Sequence, residues 1–138
     1  MDKQTLDLDD CVIAYISSHV ELPAPLEMGR QDGSGASVVY VMEPTKDVKR
    51  YFNGRVKRDF AFTIMTKLEK WRDSAGLLDR INGAMEDAKR ADIKSNNGSF
   101  EFISASMTNS PAYRDAVEDD GVTYSIYAAS FKVTAVIN

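Results

Sequence analysis

The chain has 138 residues and a mass of 15.3 kDa, with 43% hydrophobic and 28% charged residues. These values are ordinary for a globular protein and predict a single domain over residues 1–138 with a real core. The net charge of -4 and the pI near 5.0 argue against a protein that grips nucleic acid through bulk charge.

Three further features restrict the class of protein. The single cysteine, Cys11, cannot form an intramolecular disulfide, and we expect a small buried apolar residue in a reducing compartment. We expect neither export by a signal peptide nor a membrane span, because the N-terminus lacks a basic segment followed by an apolar run and no stretch approaches ~20 apolar residues. The only histidine, His19, is expected to be structural.

The first predicted element is a helix from about Gln4 to Val20, in which the apolar residues recur at spacings of three and four. Prolines then force an extended segment up to Pro25. A short strand at Leu26–Arg30, the turn QDGSGA and a strand at Ser37–Met42 predict a hairpin. The glycines do not predict a phosphate-binding loop, because a strand and not a helix follows them.

A long strand over Val56–Leu68 is the central prediction, since its apolar residues alternate with polar ones at a period of two. The face predicted to be buried carries Val56, Phe60, Phe62, Ile64 and Leu68. A brief strand at Val48–Phe52 precedes it. The intervening Asn53-Gly54 predicts a hairpin with a type I′ turn.

An amphipathic helix is predicted next, beginning with Asp73 or Ser74 as N-cap and ending near Ala91. Its apolar stripe is the natural cover for the buried face of the long strand. Trp71, at the junction, is expected to close the seam between helix and sheet, although it could also anchor a partner.

The C-terminal part predicts two strands separated by a polar loop. The first strand covers Ser99–Met107, and the loop covers Asn109–Asp120, includes Pro111 and ends in an acidic run that we interpret as a solvated turn and not a calcium site. The last strand covers Val122–Ile137. Its apolar residues change parity along the strand, which predicts a bulge near Ile126–Ala128.

The order of elements predicts an α+β domain with an antiparallel sheet of about four or more strands and helices packed on one face. No paired motif for acid-base catalysis and no metal-ligand spacing is present in the sequence, so the residues predict neither an enzyme nor a cofactor. A cluster of basic residues stands out in this acidic chain, and it includes Lys49, Arg50, Arg55, Lys57 and Arg58. Such a cluster is most often a solvated face; the alternative is a contact surface for an acidic partner.

Two stretches carry a resemblance to a known family. The ending, MTNSPAYRDAVEDDGVTYSIYAASFKVTAV, resembles the C-terminal hairpin of phage tail terminator proteins, and the middle, RDFAFTIMTK followed by SAGLLDRINGAMEDAKR, is similar to the same family. The middle stretch resembles especially the "minor capsid" proteins encoded beside the major tail protein in phages of Gram-positive hosts. The resemblance covers most of the chain from Pro25 onward and is a pattern of elements without an invariant motif.

The resemblance implies a structural protein of the virion tail or neck, assembled in the cytoplasm of the bacterial host. Members of the family form a hexameric ring that ends polymerisation of the tail tube and joins the tail to the head connector. The implied partners are therefore identical copies, the major tail tube protein and the connector protein. Sequence-specific binding of nucleic acid is not implied, although phage DNA has a path through such a ring.

In a ring each subunit uses two different surfaces, so the segment Lys49–Arg58 of one copy is predicted to face an acidic surface of the next, such as Glu118, Asp119 and Asp120. Two alternatives to a terminator remain at this point. One is a head-completion or baseplate component of the same virion. The other is a non-viral module that binds a small ligand or a peptide at a sheet edge.

Overall fold

The computed structural model describes residues 6–29, 35–44, 46–89 and 91–138, and the side chains of Lys46 and Asp47 lie outside the description. The fold is α+β and is built around one long central strand. The elements in chain order are α1 (Leu8–His19), β1 (Leu26–Met28), β2 (Ser37–Met42), β3 (Lys46–Arg50), β4 (Val56–Leu68), α2 (Trp71–Asp87), β5 (Phe100–Asp119) and β6 (Val122–Ile137).

The central strand has its predicted bounds, and its predicted core face is buried, but on the face predicted to be solvated Lys67 is only 6% exposed. β4 runs from Val56 to Leu68, and Phe60, Phe62 and Ile64 are between 0% and 6% exposed. The intervening Ala61, Thr63 and Met65 are only partly buried, as alternation in a pleated strand requires. β4 pairs with β6 over its whole length and with β2 and β3 along its other edge.

The sheet has six strands in the order β1-β2-β4-β6-β5, with β3 also paired to β4. All pairs are antiparallel except β1 with β2, which run parallel with Leu26 opposite Val38. The predicted antiparallel sheet is therefore mixed, and the predicted hairpin at this place is wrong. β1 and β2 can run parallel although the connection between them is short. Because β1 has only three residues, the chain has to run back only roughly 10 Å before β2 begins. Arg30 and the turn residues Gln31–Ser34 lie outside the described residues.

Both helices pack on one face of the sheet, as predicted. The apolar stripe of α1, with Val12 and Ile16 at 0% exposure, joins the same core cluster as Leu77, Ile81 and Phe62. α1 begins at Leu8 and not near Gln4, since Leu6 and Asp7 precede the helix. Its C-terminal end agrees with the prediction to within one residue.

The predicted N-cap of α2 is wrong, because the helix begins earlier, at Trp71, with Lys70 at the cap position and no capping side chain. Ser74 is fully buried and does not cap the helix. Its hydroxyl donates to the Ser125 carbonyl oxygen at 2.9 Å and accepts from the Leu68 backbone N–H at 3.1 Å. Ser74 thus ties α2 to β4 and β6. The helix ends at Asp87, whereas the prediction placed its end near Ala91.

Trp71 does not close the seam between helix and sheet. The side chain is 55% exposed, and the Arg72 guanidinium lies 5.3 Å from the ring centroid. The seam is instead filled by aliphatic side chains of α2, chiefly Leu77, Leu78 and Ile81.

The turn at Asn53-Gly54 exists, but it is not type I′. Gly54 has φ +87, whereas Asn53 has no positive φ. The Gly54 N–H donates to the Tyr51 carbonyl oxygen at 3.1 Å, and the Tyr51 N–H donates to the Arg55 carbonyl oxygen at 2.8 Å. This is a three-residue loop that ends in a left-handed glycine, the second common way to close a hairpin.

The predicted polar loop after Met107 is in fact strand. β5 continues to Asp119 as the edge of the sheet, where Pro111 costs no internal hydrogen bond. The register of β5 against β6 shifts at four points, which absorb the irregular sequence. The hairpin closes through Asp120 and Gly121 at φ 54 and φ 80, so the two-residue turn with positive φ at both positions lies here.

β6 is confirmed over Val122–Ile137, but the predicted bulge is absent from it. Residues 125–137 pair with β4 without a shift. The apolar residues of β6 change parity because both faces of this central strand are largely shielded from solvent. Tyr124, Ile126 and Ala128 lie on the face opposite the helices and are still only 3% to 9% exposed.

Candidate subunit interface

The basic residues singled out in the sequence lie together on one hairpin, formed by β3, the loop 51–55 and the start of β4; we call residues 46–58 the basic hairpin. Lys49 stands directly opposite Lys57 in the ladder. Like charges at such positions repel each other, so the pair opposes folding and favours a nearby negative charge. The Lys49 ammonium lies 5.2 Å from the centroid of the Tyr51 ring.

Arg55 has a partner within the chain. The Arg55 guanidinium bonds the Glu101 carboxylate at 3.0 Å, and both side chains are about one-third exposed. This pair joins the basic hairpin to the first residues of β5. On the same face as Lys57, the Asp59 carboxylate accepts from the Thr134 hydroxyl at 2.6 Å.

The acidic residues Glu118, Asp119 and Asp120 lie at the β5–β6 turn. Asp119 is engaged within the chain, since its carboxylate accepts from the Gly35 N–H at 2.7 Å and lies 3.6 Å from the Lys67 ammonium. Glu118 and Asp120 are exposed. The turn therefore presents two carboxylates to the surroundings and uses the third to fix the end of the sheet.

The basic hairpin and the acidic turn lie at opposite ends of the sheet. The hairpin is at the start of β4, where Val56 pairs with Ile137, whereas the acidic turn is at the other end, where Leu68 pairs with Ser125. Twelve residue steps of strand separate these ends by roughly 40 Å. The two charged groups cannot meet within one chain, but they could meet between copies.

Exposed apolar side chains accompany the basic hairpin. Among the described residues, six large hydrophobic side chains are exposed, and three of them, Met42, Val48 and Phe52, fall within eleven residues of sequence around this hairpin. Phe52 lies at the tip of the loop and is fully exposed. The sequence indicated a turn here but gave no sign that its aromatic residue has no cover within the chain.

A groove with a volume of about 1270 Å³ lies at the opposite end of the molecule, between the end of α1, the outer side of α2 and the end of β4; we call it the helix groove. Its apolar lining includes Val20, Leu22, Leu68, Ala84 and Tyr124. Its charged lining has four carboxylates and two cations: Glu21, Glu69, Asp73, Asp87, Lys70 and Arg80. Sequence reasoning missed the groove, because its residues come from four separate segments.

The only histidine and the only cysteine of the sequence lie on the same helix, and both are engaged within the chain. No group of three or more histidine, cysteine, aspartate or glutamate side chains is placed to hold a metal in the described ranges. His19 lines the helix groove, where its Nδ1 lies 2.9 Å from the Tyr15 carbonyl oxygen and its ring stacks on Tyr15 at 4.1 Å. Cys11 is buried as predicted, and burial raises the pKa of its thiol, which disfavours the nucleophilic thiolate.

Asp7 performs a structural task that the sequence did not indicate. Its carboxylate accepts from the Ser95 hydroxyl at 2.6 Å, the Asn96 N–H at 2.8 Å and the Ser99 hydroxyl at 3.0 Å. Burial by itself would raise the pKa of Asp7, but these bonds and a weaker one from Cys11 outweigh burial and lower it. Asp7 therefore fastens the start of α1 to the loop before β5.

In the part of the chain that the structure describes, neither helix combines the length and the apolar character that crossing a membrane requires. The chain matches no protein-family model, and no curated protein matches it in sequence.

Proposed function

We propose that this chain is a structural protein of a long-tailed phage virion, where it forms a ring that caps the tail tube, ends tube polymerisation and joins the tail to the head connector. The proposal begins from the resemblance of the two sequence stretches to tail terminators. Those stretches fold as β4 with α2 and as the β5–β6 hairpin, which form most of the sheet and one of its two covering helices.

The observation that carries the proposal is the placement of opposite charges at opposite ends of β4, roughly 40 Å apart. A ring needs a heterologous interface, in which one surface of a subunit meets a different surface of the next. Two complementary ends on one rigid sheet provide this arrangement. Lys49, Arg50 and Lys57 of one copy then meet Glu118 and Asp120 of its neighbour, and their complementary charges favour register and encounter.

Opposite charges at the two ends of the sheet also suit a head-completion or baseplate component, which would share the ring geometry but contact a different neighbour in the virion. The partners of the proposed ring are the major tail tube protein on one side and the connector protein on the other.

A peptide-binding module is the second candidate, and the position of β5 favours it. Beyond Phe102 the outer edge of this strand carries no partner strand among the described residues, and an extended peptide could pair with it. Pro111 lacks an N–H and four register shifts bend the strand, so a long added strand would be interrupted. The ring therefore remains the better-supported proposal.

Light scattering on the purified chain tests the ring. Six chains of 15.3 kDa give a mass of about 92 kDa. Charge reversal of Lys49 and Lys57 should shift this mass towards the monomer, and a ring that survives the reversal would count against the proposed charge pairing. Electron micrographs of particles that lack this protein should show tails of uncontrolled length. Tails of normal length would contradict a terminator and favour the head-completion or baseplate alternative.

A further inference from the structure

We infer that the tip of the basic hairpin of one copy docks into the helix groove of the next copy, with Phe52 as the apolar anchor. This inference rests on the ring put forward under Proposed function and specifies its contact. The helix groove, and not the acidic turn alone, is then the principal receptor for the basic hairpin.

The first step is the exposure of Phe52. A single exposed apolar side chain is normal on a protein surface. Phe52, however, is fully exposed at the end of a hairpin, and Val48 and Met42 on the same edge are 51% and 55% exposed. Aromatic residues surrounded by charged ones are typical anchors of protein interfaces.

The second step is the match between the hairpin and the helix groove. The groove has an apolar lining that includes Val20 and Leu68, both 7% exposed. Its rim carries four carboxylates against two cations. The basic hairpin presents the reverse arrangement, an apolar tip followed by cations. A volume of about 1270 Å³ is ample for one aromatic ring and the flanking loop residues.

The third step is geometry. Phe52 precedes the start of β4, whereas Leu68 of the helix groove is the last residue of the same strand. The strand holds the two surfaces roughly 40 Å apart, so the hairpin cannot reach the groove of its own chain. Docking must take place between copies, head to tail, and such a contact yields a ring when the rotation closes.

Light scattering on two pairs of matched variants tests the docking. Gly83 lines the helix groove, is exposed, and a Cβ there meets nothing within 4 Å, so Gly83→Arg fills the groove and adds a repelling charge without disturbing the fold. Gly76 lies in the same helix, also has open space at its Cβ and does not line the groove, so Gly76→Arg is the control. Phe52→Ser is compared with Tyr113→Ser, which changes another exposed aromatic residue.

We expect Gly83→Arg and Phe52→Ser to reduce the particle from about six chains to one, with unchanged thermal melts, while both controls keep the wild-type mass. If the Gly83→Arg and Phe52→Ser variants keep the mass of the wild-type ring, the docking is wrong and the proposed function still stands. If the wild-type chain itself is monomeric, both the docking and the proposed ring are contradicted.

A contact between cysteines provides a direct readout. In a Cys11→Ala background, Asn53→Cys, at the exposed residue next to Phe52 in the loop, is combined with Gly83→Cys so that the anchor itself is kept. The double variant should give a ladder of covalently linked chains on a non-reducing gel after mild oxidation, whereas each single variant should give at most a dimer. If the double variant gives no ladder although its ring is intact, the tip of the basic hairpin does not lie in the groove.

Discussion

Replacing Phe62 by alanine is the sharpest test of the assigned faces of the sheet. Phe62 is 1% exposed at the centre of β4, and its ring stacks between Tyr40 at 4.5 Å and Phe131 at 5.4 Å. Phe→Ala substitutions in cores cost about 3–5 kcal/mol. Because both stacked contacts are lost as well, we expect a value near the top of that range, about 4–5 kcal/mol.

This loss is large against a total stability of about 5–15 kcal/mol. For a chain of this size 1 kcal/mol moves Tm by roughly 3–5 °C, so we expect a fall of about 12–25 °C. The assay is urea and thermal unfolding followed by far-ultraviolet circular dichroism.

Lys57→Ala, on the opposite face of the same strand, is the matched control. Its effect should stay within about 0.5 kcal/mol, because Lys57 is partly exposed and faces the like charge of Lys49. Equal effects of the two substitutions would refute the assignment of a core face and an outer face to β4.

Three further predictions concern buried polar contacts and are measured by urea unfolding. Ser74→Ala leaves the Leu68 N–H and the Ser125 carbonyl oxygen without their hydroxyl partner and should lower the free energy of unfolding by about 1–3 kcal/mol. Ser18→Ala, at the exposed end of α1, should lower it much less. Equal losses would contradict the role of Ser74 in joining α2 to the sheet. Tyr40→Phe removes the hydrogen bond of 2.5 Å that the Tyr40 hydroxyl donates to the Asp9 carboxylate. It should lower the free energy of unfolding by about 1.5–3 kcal/mol, and an unchanged free energy would show that this bond does not stabilise the fold. The pKa of Asp7 is lower in the folded chain than its ordinary value of 3.8, so its stabilising effect is complete above that pH and is lost as the pH falls through the folded pKa. Asp7→Asn should therefore lower stability at pH 6 and flatten the loss of stability below pH 4, and an unchanged acid dependence would argue against the shift.

The elements with a clear hydrophobic period were predictable from the sequence. β4 and β6 have the predicted bounds, and the stripe of α1 is buried as expected. Periodicity succeeds for α1 and β4 because each buries its apolar residues against one continuous core, whereas β6 is shielded on both faces and its change of parity led to a bulge that is absent. Short-range signals were less reliable: the Asn53-Gly54 turn adopted a different type, and the positive φ pair lies at Asp120-Gly121.

The errors arose where neighbours in space overrule local preference. Pro111 and the polar residues around it read as a loop, but pairing with β6 holds them in an edge strand. Ser74 reads as a helix cap, but the sheet uses its hydroxyl to join two strands. Hydrogen bonds from distant segments satisfy the backbone in both cases, and no window of sequence contains those partners.

By itself the sequence determined the class of fold, the central strand, the core face and the outer face of that strand, and a group of cations that lie close together along the chain. These properties depend on residues that are neighbours in sequence. Only the tertiary structure decided that the basic hairpin and the helix groove lie at opposite ends of one sheet. That distance depends on strand pairing and on how four separate segments meet around the groove. Both the strand pairing and the meeting of these segments are set by contacts between residues far apart in sequence, and a local sequence pattern does not encode such contacts.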